Sequence, residues 1–219
     1  MFRSTIENTD TLFKKLSGWS IVEEMLKSED QSNIDRTSIA QPAICALQIA
    51  LVELWKSWGI TPTRVVGHSV GEVAAAYCAG ALSLEDTVRV IYHRSRLQDT
   101  TAGHGRMLAA GITPREAREM IGELADQVHI TAINSPGLVT LGGDTAPLEL
   151  IGERLEREGR FMRWLKVNYA FHTHQMDPIR DELLESLASI KPQAGNIPFV
   201  STVTGSVYPG EQLDANYWW

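Results

Sequence analysis

A five-residue turn motif constrains the fold of this chain more than any other feature of its sequence. The motif, G-x-S-x-G at residues 67–71, follows the β-branched run Thr63–Gly67 and precedes the alanine-rich segment Glu72–Gly80. The first run predicts a buried strand, and the second predicts a helix that stops at its terminal glycine. A strand that turns directly into a helix is the context of a nucleophile elbow in an α/β protein. The sequence therefore predicts an α/β fold with Ser69 as a candidate nucleophile.

The turn also suggests how Ser69 can act chemically. On such an elbow the serine oxygen projects above the sheet at a helix N-terminus, where backbone N–H groups can hold an oxyanion. Gly67 and Gly71 lack a Cβ atom, so the chain segments beside the serine can approach closely. The alternative is a serine that only caps the helix.

A nucleophilic serine needs a general base, and the chain has six histidines. His68 is adjacent to the serine and is expected to pack beneath the turn. His172 and His174 lie in a loop after a predicted strand, which is a common position for a catalytic base. This pair is favoured over the other histidines, and the residues alone do not separate the two.

One arginine lies on the apolar side of a predicted helix. In the helix Leu84–Gln98, at about 100° per residue, Arg94 falls among the apolar positions, whereas Arg89 and Arg96 fall on the polar side. Burying an unpaired guanidinium is very costly, so Arg94 requires an anionic partner. The alternatives are an internal ion pair with Asp or Glu and a bidentate contact to a substrate carboxylate.

Composition and charge exclude several classes of protein. Hydrophobic residues make up 43% and charged residues 21%, which is typical of a globular domain and excludes a disordered or collagen-like chain. The net charge of −7 argues against nucleic-acid binding, which usually needs a basic surplus. No spacing of His, Cys or acidic residues suggests a metal site.

Other features indicate a soluble, cytoplasmic protein. The N-terminus lacks the apolar core of a signal peptide. The apolar run Ile39–Trp55 contains polar residues and a proline, so it is expected to be a buried helix and not a membrane span. Cys45 and Cys78 lie in apolar stretches and are expected to be buried free thiols.

The middle of the chain has its own order of predicted elements. Between residues 107 and 167 the pattern reads strand, helix, strand, strand, helix, strand, with a turn at Asn134–Gly137 between the central strands. This is the order of a ferredoxin-like unit. It predicts a small subdomain at 105–166, inserted into a larger domain formed by residues 1–104 and 167–219. A helix over 178–190 and a strand over 199–202 are expected to follow.

Several motifs along the chain occur in the order of a known enzyme family. They are Gly67–Glu72, His93–Leu97, Tyr169–His172 and Ser201–Gly205. Together they resemble the acyltransferase domains of type I polyketide synthases and, more distantly, the malonyl-CoA:acyl-carrier-protein transacylases of fatty-acid biosynthesis. The resemblance covers essentially the whole chain. It implies an α/β-hydrolase-like core with an inserted ferredoxin-like small subdomain.

The resemblance also implies roles for individual residues. It makes His172 the general base for Ser69 and gives the Val70 N–H a place in the oxyanion hole. It implies that Arg94 pairs with the free carboxylate of the extender unit. Two further positions match residues near the family's active-site cleft, namely Gln41 and Asn134.

In this family, the residues that precede the base vary with the extender unit that the domain selects. In the family, His-Ala-Phe-His usually accompanies malonyl and Tyr-Ala-Ser-His methylmalonyl, and this chain has the mixture Tyr169-Ala170-Phe171-His172. Phe171 is expected to fill the space that an α-methyl group would need. The apolar Val70 is also the kind of residue seen with malonyl, so we expect malonyl to be preferred.

The implied reaction is a ping-pong acyl transfer. The malonyl group passes from malonyl-CoA to Ser69 and then to the phosphopantetheine thiol that an acyl carrier protein contributes. The domain is expected to bind no cofactor of its own. Its expected partners are the carrier protein and neighbouring synthase domains such as a ketosynthase, with no nucleic-acid or membrane partner.

The chain departs from the family pattern at both ends. The family's upstream Gly-Gln-Gly motif is absent, and the chain stops at Tyr217–Trp219, before the stretch that normally orients the base. Asp177 and Glu182 are nearby acids in sequence, but neither obviously takes that role. We therefore expect a fragment of a larger synthase, with a core strand left unpaired and apolar surface exposed.

Two other functions compete with acyl transfer. A serine carboxylesterase or thioesterase would need an acid between Ser69 and His172, and several are present, but Arg94 on an apolar helix face disfavours it. A truncated, non-catalytic docking module of a synthase would fit the missing ends. The intact Ser69, His172 and Arg94 disfavour that function for the parent protein.

Overall fold

The computed structural model describes residues 1–219. They divide into two compact units, Met1–Asp99 with Asp181–Trp219, and Thr100–Arg180. The α-helices are α1 (Phe2–Ser17), α2 (Ile21–Met25), α3 (Thr37–Ser57), α4 (Gly71–Ala79), α5 (Leu84–Asp99), α6 (Pro114–Ile121), α7 (Thr145–Arg157), α8 (Arg180–Leu187) and α9 (Ala215–Trp218). The strands are β1 (Val65–Val66), β2 (Arg106–Ala110), β3 (Val128–Ser135), β4 (Leu138–Gly143), β5 (Met162–Trp164), β6 (Phe199–Val200) and β7 (Val207–Tyr208).

Long helices build an apolar core in the first unit. α1, α3 and α5 pack against one another, with α2 beside them. The fully buried Phe13 ring meets Trp19 and Tyr92 edge-to-face, at centroid distances of 4.8 and 5.7 Å. Burying a ring of this kind contributes about 1.5–3 kcal/mol, so these contacts hold α1 to α5.

Helix α3 is the most apolar long helix of the chain. By length and composition alone it could cross a membrane, a property that the core helices of soluble proteins share, and 44% of its most apolar window is buried within the structure. Its Cys45 is buried, as is Cys78 of α4, and neither forms a disulfide. Burial raises the pKa of the Cys45 thiol to about 12. The predicted buried free thiols are confirmed.

A small sheet in the first unit leads into the turn at Ser69. β1 pairs in parallel with β6, with Val65 opposite Phe199, and β6 pairs antiparallel with β7. β1 has no strand on its other side, and Val66 is 64% exposed. A largely apolar groove of about 570 Å³ lies among side chains of α3, β1 and α4. β1 is therefore an edge strand beside an exposed apolar surface.

The second unit is a four-stranded antiparallel sheet with two α-helices. The strand order is β3-β4-β2-β5, and the chain order is strand, helix, strand, strand, helix, strand. This is the predicted ferredoxin-like unit. Its core contains Leu108, Val139, Leu141, Leu148, Ile151 and Leu155.

Some element boundaries differ from the predicted ones. β3 continues to Ser135 because its pairing with β4 persists through two irregularities in register, so the turn is shorter than Asn134–Gly137. The helix predicted over 178–190 begins as a 3-10 turn, His174–Ile179, and continues as α8 to Leu187. β7 and α9 were not predicted, because elements of 2 and 4 residues show no periodicity.

The second unit is wider than the subdomain expected at 105–166. Every strand of its sheet lies inside that range, but the unit also takes in residues 100–104 and 167–180. The loop that carries Tyr169–His172 therefore clusters with the small sheet. The boundaries of the subdomain itself stay a prediction.

Candidate active site

The turn before α4 holds Ser69 in an unusual backbone conformation. Ser69 has φ of 50°, and His172 has φ of 62°; they are the non-glycine residues with positive φ. Such a conformation costs a non-glycine residue of order 1–3 kcal/mol and is concentrated at functional sites. The turn closes as the Gly71 and Glu72 N–H groups donate to the His68 and Ser69 carbonyls, each at 3.0 Å. The predicted elbow is therefore present, and Ser69 is not a plain helix cap.

Gly67 is required because the two arms of the elbow touch. A Cβ atom at Gly67 would lie 2.2 Å from the backbone of Gly71, whereas one at Gly71 would meet the Gln48 amide at 3.7 Å. We expect Gly67→Ala to destabilise the fold by about 1–3 kcal/mol and Gly71→Ala to change it by less than about 0.5 kcal/mol. Urea unfolding of both variants measures the difference. Equal stabilities would show that the close approach is unimportant.

A buried arginine lies directly beside the nucleophile. Arg94 of α5 is 6% exposed, which confirms the burial predicted from its helical position. Its Nη2 donates to the Ser69 Oγ at 3.1 Å, and its Nη1 donates to the Gln41 Oε1 at 2.6 Å. Arg94, Gln41 and Ser69 thus form one hydrogen-bonded group, drawn from α5, α3 and the elbow.

The partners of Arg94 are neutral. None of the ion pairs in the chain includes it, so the internal ion pair is not the arrangement found. Burial lowers the pKa of Arg94 to about 10, while the negative charge of Glu72 acts in the opposite sense. The guanidinium is therefore a cation at neutral pH. A carboxylate beside it would recover electrostatic energy that burial has removed.

Glu72 fastens the elbow helix to the C-terminal part of the first unit. Its carboxylate accepts hydrogen bonds from the Thr202 N–H at 2.7 Å, the Thr202 hydroxyl at 2.8 Å and the Tyr217 hydroxyl at 3.1 Å. The Tyr217 hydroxyl oxygen also lies within hydrogen-bond distance of the Ser201 Oγ, at 2.8 Å. The conformation of the turn at Ser69 is thus supported from the segment that follows β6.

The two loop histidines differ in their surroundings within the second unit. His174 Nδ1 lies 3.0 Å from His129 Nε2, and its Nε2 lies 3.4 Å from the Asp144 carboxylate. Gln175 Nε2 donates to the same carboxylate at 2.7 Å. His174 therefore anchors the loop to the sheet, a role that leaves His172 as the better candidate for a base.

The remaining predicted site residues of the second unit have contacts of their own. The rings of Tyr169 and Phe171 stack with centroids 3.9 Å apart and planes inclined by 17°. The Asn134 side chain donates to the Thr140 Oγ1 at 2.9 Å, inside the β3–β4 hairpin. The first unit brings together Ser69, Val70, Arg94 and Gln41, and the second unit holds Asn134, Tyr169, Phe171 and His172.

Comparison with known proteins identifies the family. The sequence model of the acyl transferase domain family matches residues 1–219. The chain belongs to this family. Among relatives, the highly reducing polyketide synthase Preu5 of Preussia isomera is 40% identical over 234 residues, which cover 100% of this chain and 9% of that protein. The erythronolide synthase EryA2 of Saccharopolyspora erythraea is 35% identical over 219 residues, covering 100% and 6%.

Solved structures agree with the family assignment. The acyltransferase domain from module 8 of the salinomycin polyketide synthase matches with a TM-score of 0.94 and 35% identity, covering 99% of this chain and 51% of that one. The predicted fold class and the resemblance to polyketide synthase acyltransferases are therefore confirmed. The chain spans less than a tenth of the curated relatives it matches, and about half of this solved domain.

His68 and Glu182 lie near the candidate site but outside its hydrogen-bonded group. His68 is exposed, so the expectation that it packs beneath the turn is wrong. Glu182 pairs with Arg96 at 2.7 Å, so it is engaged on the polar side of α5. His93 is bonded to the same arginine, and burial lowers its pKa to about 4.

Sequence reasoning missed one buried partner in this candidate site. Gln98 Oε1 accepts from Gln41 Nε2 at 2.8 Å. The available signal was its position four residues after Arg94, on the same buried face of α5. No group of three or more His, Cys, Asp and Glu side chains in the chain could hold a metal ion.

Proposed function

We propose that this acyltransferase domain moves a malonyl group from CoA to Ser69 and then to the phosphopantetheine thiol of an acyl carrier protein. The observation that carries the proposal is the buried Arg94 guanidinium, with neutral partners, within 3.1 Å of the Ser69 oxygen. A malonyl thioester has a carboxylate two bonds from its reactive carbonyl. A cation beside the nucleophile suits such a substrate, because a guanidinium binds a carboxylate in a bidentate manner.

The first half of the reaction loads the serine. His172 takes the proton of the Ser69 hydroxyl, and the oxygen attacks the thioester carbonyl. The Val70 N–H, at the start of α4, supports the developing oxyanion. The carbon–sulfur bond then breaks, and the proton held by His172 passes to the departing CoA thiolate.

The second half of the reaction transfers the malonyl group from the serine to the carrier protein. The carrier thiol gives its proton to His172 and attacks the acyl-serine carbonyl. The carbon–oxygen bond breaks, the proton returns to the Ser69 oxygen, and the malonyl group leaves as a carrier thioester. When the malonyl group binds, Arg94 Nη2 gives up its contact with the Ser69 hydroxyl and binds the malonyl carboxylate. Arg94 Nη1 stays bonded to Gln41.

The proposed partners follow from this chemistry. The substrate is an acyl-CoA, the acceptor is a carrier protein, and neighbouring synthase domains such as a ketosynthase would use the product in polyketide or fatty-acid biosynthesis. The relatives are synthases that are many times longer than this chain, which supports such neighbours. We place the domain in the cytoplasm and propose that it binds no cofactor of its own.

The test compares transfer with hydrolysis. Purified protein is mixed with radiolabelled malonyl-CoA and a carrier protein, either with its phosphopantetheine arm or without it. We expect label on the arm-bearing carrier and none on the carrier without an arm. Release of free malonate with an unlabelled carrier would identify a thioesterase instead. No consumption of malonyl-CoA in either mixture would favour the non-catalytic docking module.

Phe171 provides a prediction about the extender unit. Its ring is held by the stack with Tyr169, so it should resist moving aside for an α-methyl group. We expect malonyl to be preferred over methylmalonyl by at most about 10- to 200-fold, since discrimination of one methyl group by shape is limited. Phe171→Ser should narrow or reverse the preference.

A competition between the two CoA esters measures this, by scoring which acyl group reaches the carrier. Phe161→Ser is the matched control, because Phe161 is an exposed phenylalanine of the same unit and should leave the ratio unchanged. A wild-type protein that clearly chooses methylmalonyl would show the steric argument to be wrong.

A further inference from the structure

We propose that Gln98 is a positioning residue that, through the Gln41 amide, orients the Arg94 guanidinium and so sharpens selection of acyl groups with a carboxylate. The inference rests on the proposed role of Arg94 and adds a residue that does not touch the substrate. Its basis is a continuous chain of buried polar contacts that ends at the nucleophile.

The chain of contacts is short and directional. Gln41 Nε2 donates to Gln98 Oε1 at 2.8 Å, Arg94 Nη1 donates to Gln41 Oε1 at 2.6 Å, and Arg94 Nη2 donates to Ser69 Oγ at 3.1 Å. Gln98 and Gln41 are each 8% exposed and Arg94 is 6% exposed. Water therefore competes little for these groups, and each bond is stronger than a similar one at the surface.

The Gln98 oxygen matches the orientation of the Gln41 amide that the arginine requires. An amide has a donating and an accepting end, and a guanidinium has donors alone. If Gln41 turned over, its NH2 group would face the donors of Arg94, and its oxygen would face the oxygen of Gln98. The acceptor that Gln98 supplies therefore favours the orientation in which Gln41 grips Arg94.

Helices α3 and α5 are held together close to the hydrogen bond between Gln41 and Gln98. Asp99, the residue after Gln98, accepts from Arg36 at 2.7 Å and from the Ser38 hydroxyl at 2.9 Å, at the start of α3. Gln41 lies about one turn further along α3. The contact between α3 and α5 thus presents Gln98 to Gln41 in one register, as a positioning role requires.

A positioning role differs from a purely structural one in what it changes. Loss of the Gln98 oxygen should loosen the guanidinium and weaken the grip on a carboxylate. The same loss should have little effect on an acyl group that has no carboxylate. We therefore expect the malonyl-CoA KM to rise while kcat for acetyl-CoA stays the same.

The experiment uses Gln98→Met, which removes the amide at similar volume. Steady-state kcat and KM are measured with malonyl-CoA and with acetyl-CoA. We expect Gln98→Met to raise the malonyl-CoA KM about three- to tenfold, as expected for one hydrogen bond lost, and to lower the malonyl-to-acetyl ratio of kcat/KM.

Two further variants complete the test. Ser95→Ala is the control, because it removes a hydrogen bond to the Tyr92 carbonyl within α5, outside the chain of contacts, and should leave the ratio unchanged. If Gln98→Met does not fold, Gln98→Asn keeps a buried amide but withdraws its oxygen from Gln41, and the same fall in the ratio is expected.

The outcomes separate this inference from the proposed function. An unchanged ratio in Gln98→Met or Gln98→Asn, with a reduced ratio in Arg94→Ala, overturns the role of Gln98 and leaves the role of Arg94 intact. Equal losses for both substrates in the Gln98 variants show a structural role alone. Equal losses in Arg94→Ala overturn the role of Arg94 itself.

Discussion

Replacing Ser69 by alanine is expected to abolish both the acyl-protein adduct and transfer to a carrier protein. The alanine has no oxygen to form the ester, so no second nucleophile on the elbow can take over the step. Removal of a nucleophile from a cooperating serine–histidine site costs several orders of magnitude in rate, on the order of 10⁶-fold in the best-studied hydrolases. The loss should therefore be complete at the sensitivity of ordinary assays.

Mass spectrometry of the intact protein and of its Ser69 peptide measures this after brief mixing with malonyl-CoA. Ser95→Ala is the matched control, because Ser95 is a buried serine of α5 that donates to the Tyr92 carbonyl at 3.2 Å and lies outside the proposed chemistry. An adduct that survives in Ser69→Ala would mean that the nucleophile lies elsewhere.

Replacing Arg94 by alanine is expected to change acyl preference more than it changes the chemistry. A charge-assisted bidentate contact contributes on the order of 1.5–3 kcal/mol. We therefore expect kcat/KM for malonyl-CoA to fall by roughly 10- to 150-fold. Acetyl-CoA has no carboxylate, so its kcat/KM should fall far less, or should rise because Ser69 loses a competing hydrogen bond.

Arg89→Ala is the control for Arg94, because Arg89 is on the polar side of the same helix and should leave both substrates unaffected. A thermal melt of each variant separates unfolding from altered binding. If malonyl-CoA and acetyl-CoA lose activity equally in Arg94→Ala while the protein stays folded, the arginine supports the fold and does not bind the substrate carboxylate.

Local pattern was sufficient for the elbow, the buried arginine and the small subdomain. A β-branched run, a G-x-S-x-G turn and an alanine-rich run follow one another at 63–80, and each is a property of neighbouring residues. The burial of Arg94 follows from the 3.6-residue period of a single helix. The ferredoxin-like order follows from reading successive periods along the chain, so this part of the fold was accessible before any coordinates. The family was accessible through the resemblance of its motifs.

Partners that are distant in sequence could not be predicted in the same way. Helical spacing shows which face of α5 is buried, but Arg94 meets Gln41 and Ser69, which are 53 and 25 residues away. The sequence left an ion pair and a carboxylate contact equally open for this arginine. The packing of α3 against α5 excluded the internal ion pair by giving the guanidinium neutral oxygen partners, and the carboxylate contact stays a proposal.

The two loop histidines, His172 and His174, also show what the sequence predicts and what only the tertiary structure decides. Their sequence positions differ by two residues, and loop position alone gave them equal standing. The tertiary structure engages His174 with His129 and Asp144, which come from β3 and from the start of α7, and it gives His172 the strained backbone that Ser69 also has. By itself the sequence determined which elements form and which residue types they carry. Tertiary structure alone decided which side chains meet, because a contact between distant segments depends on how whole helices and sheets pack.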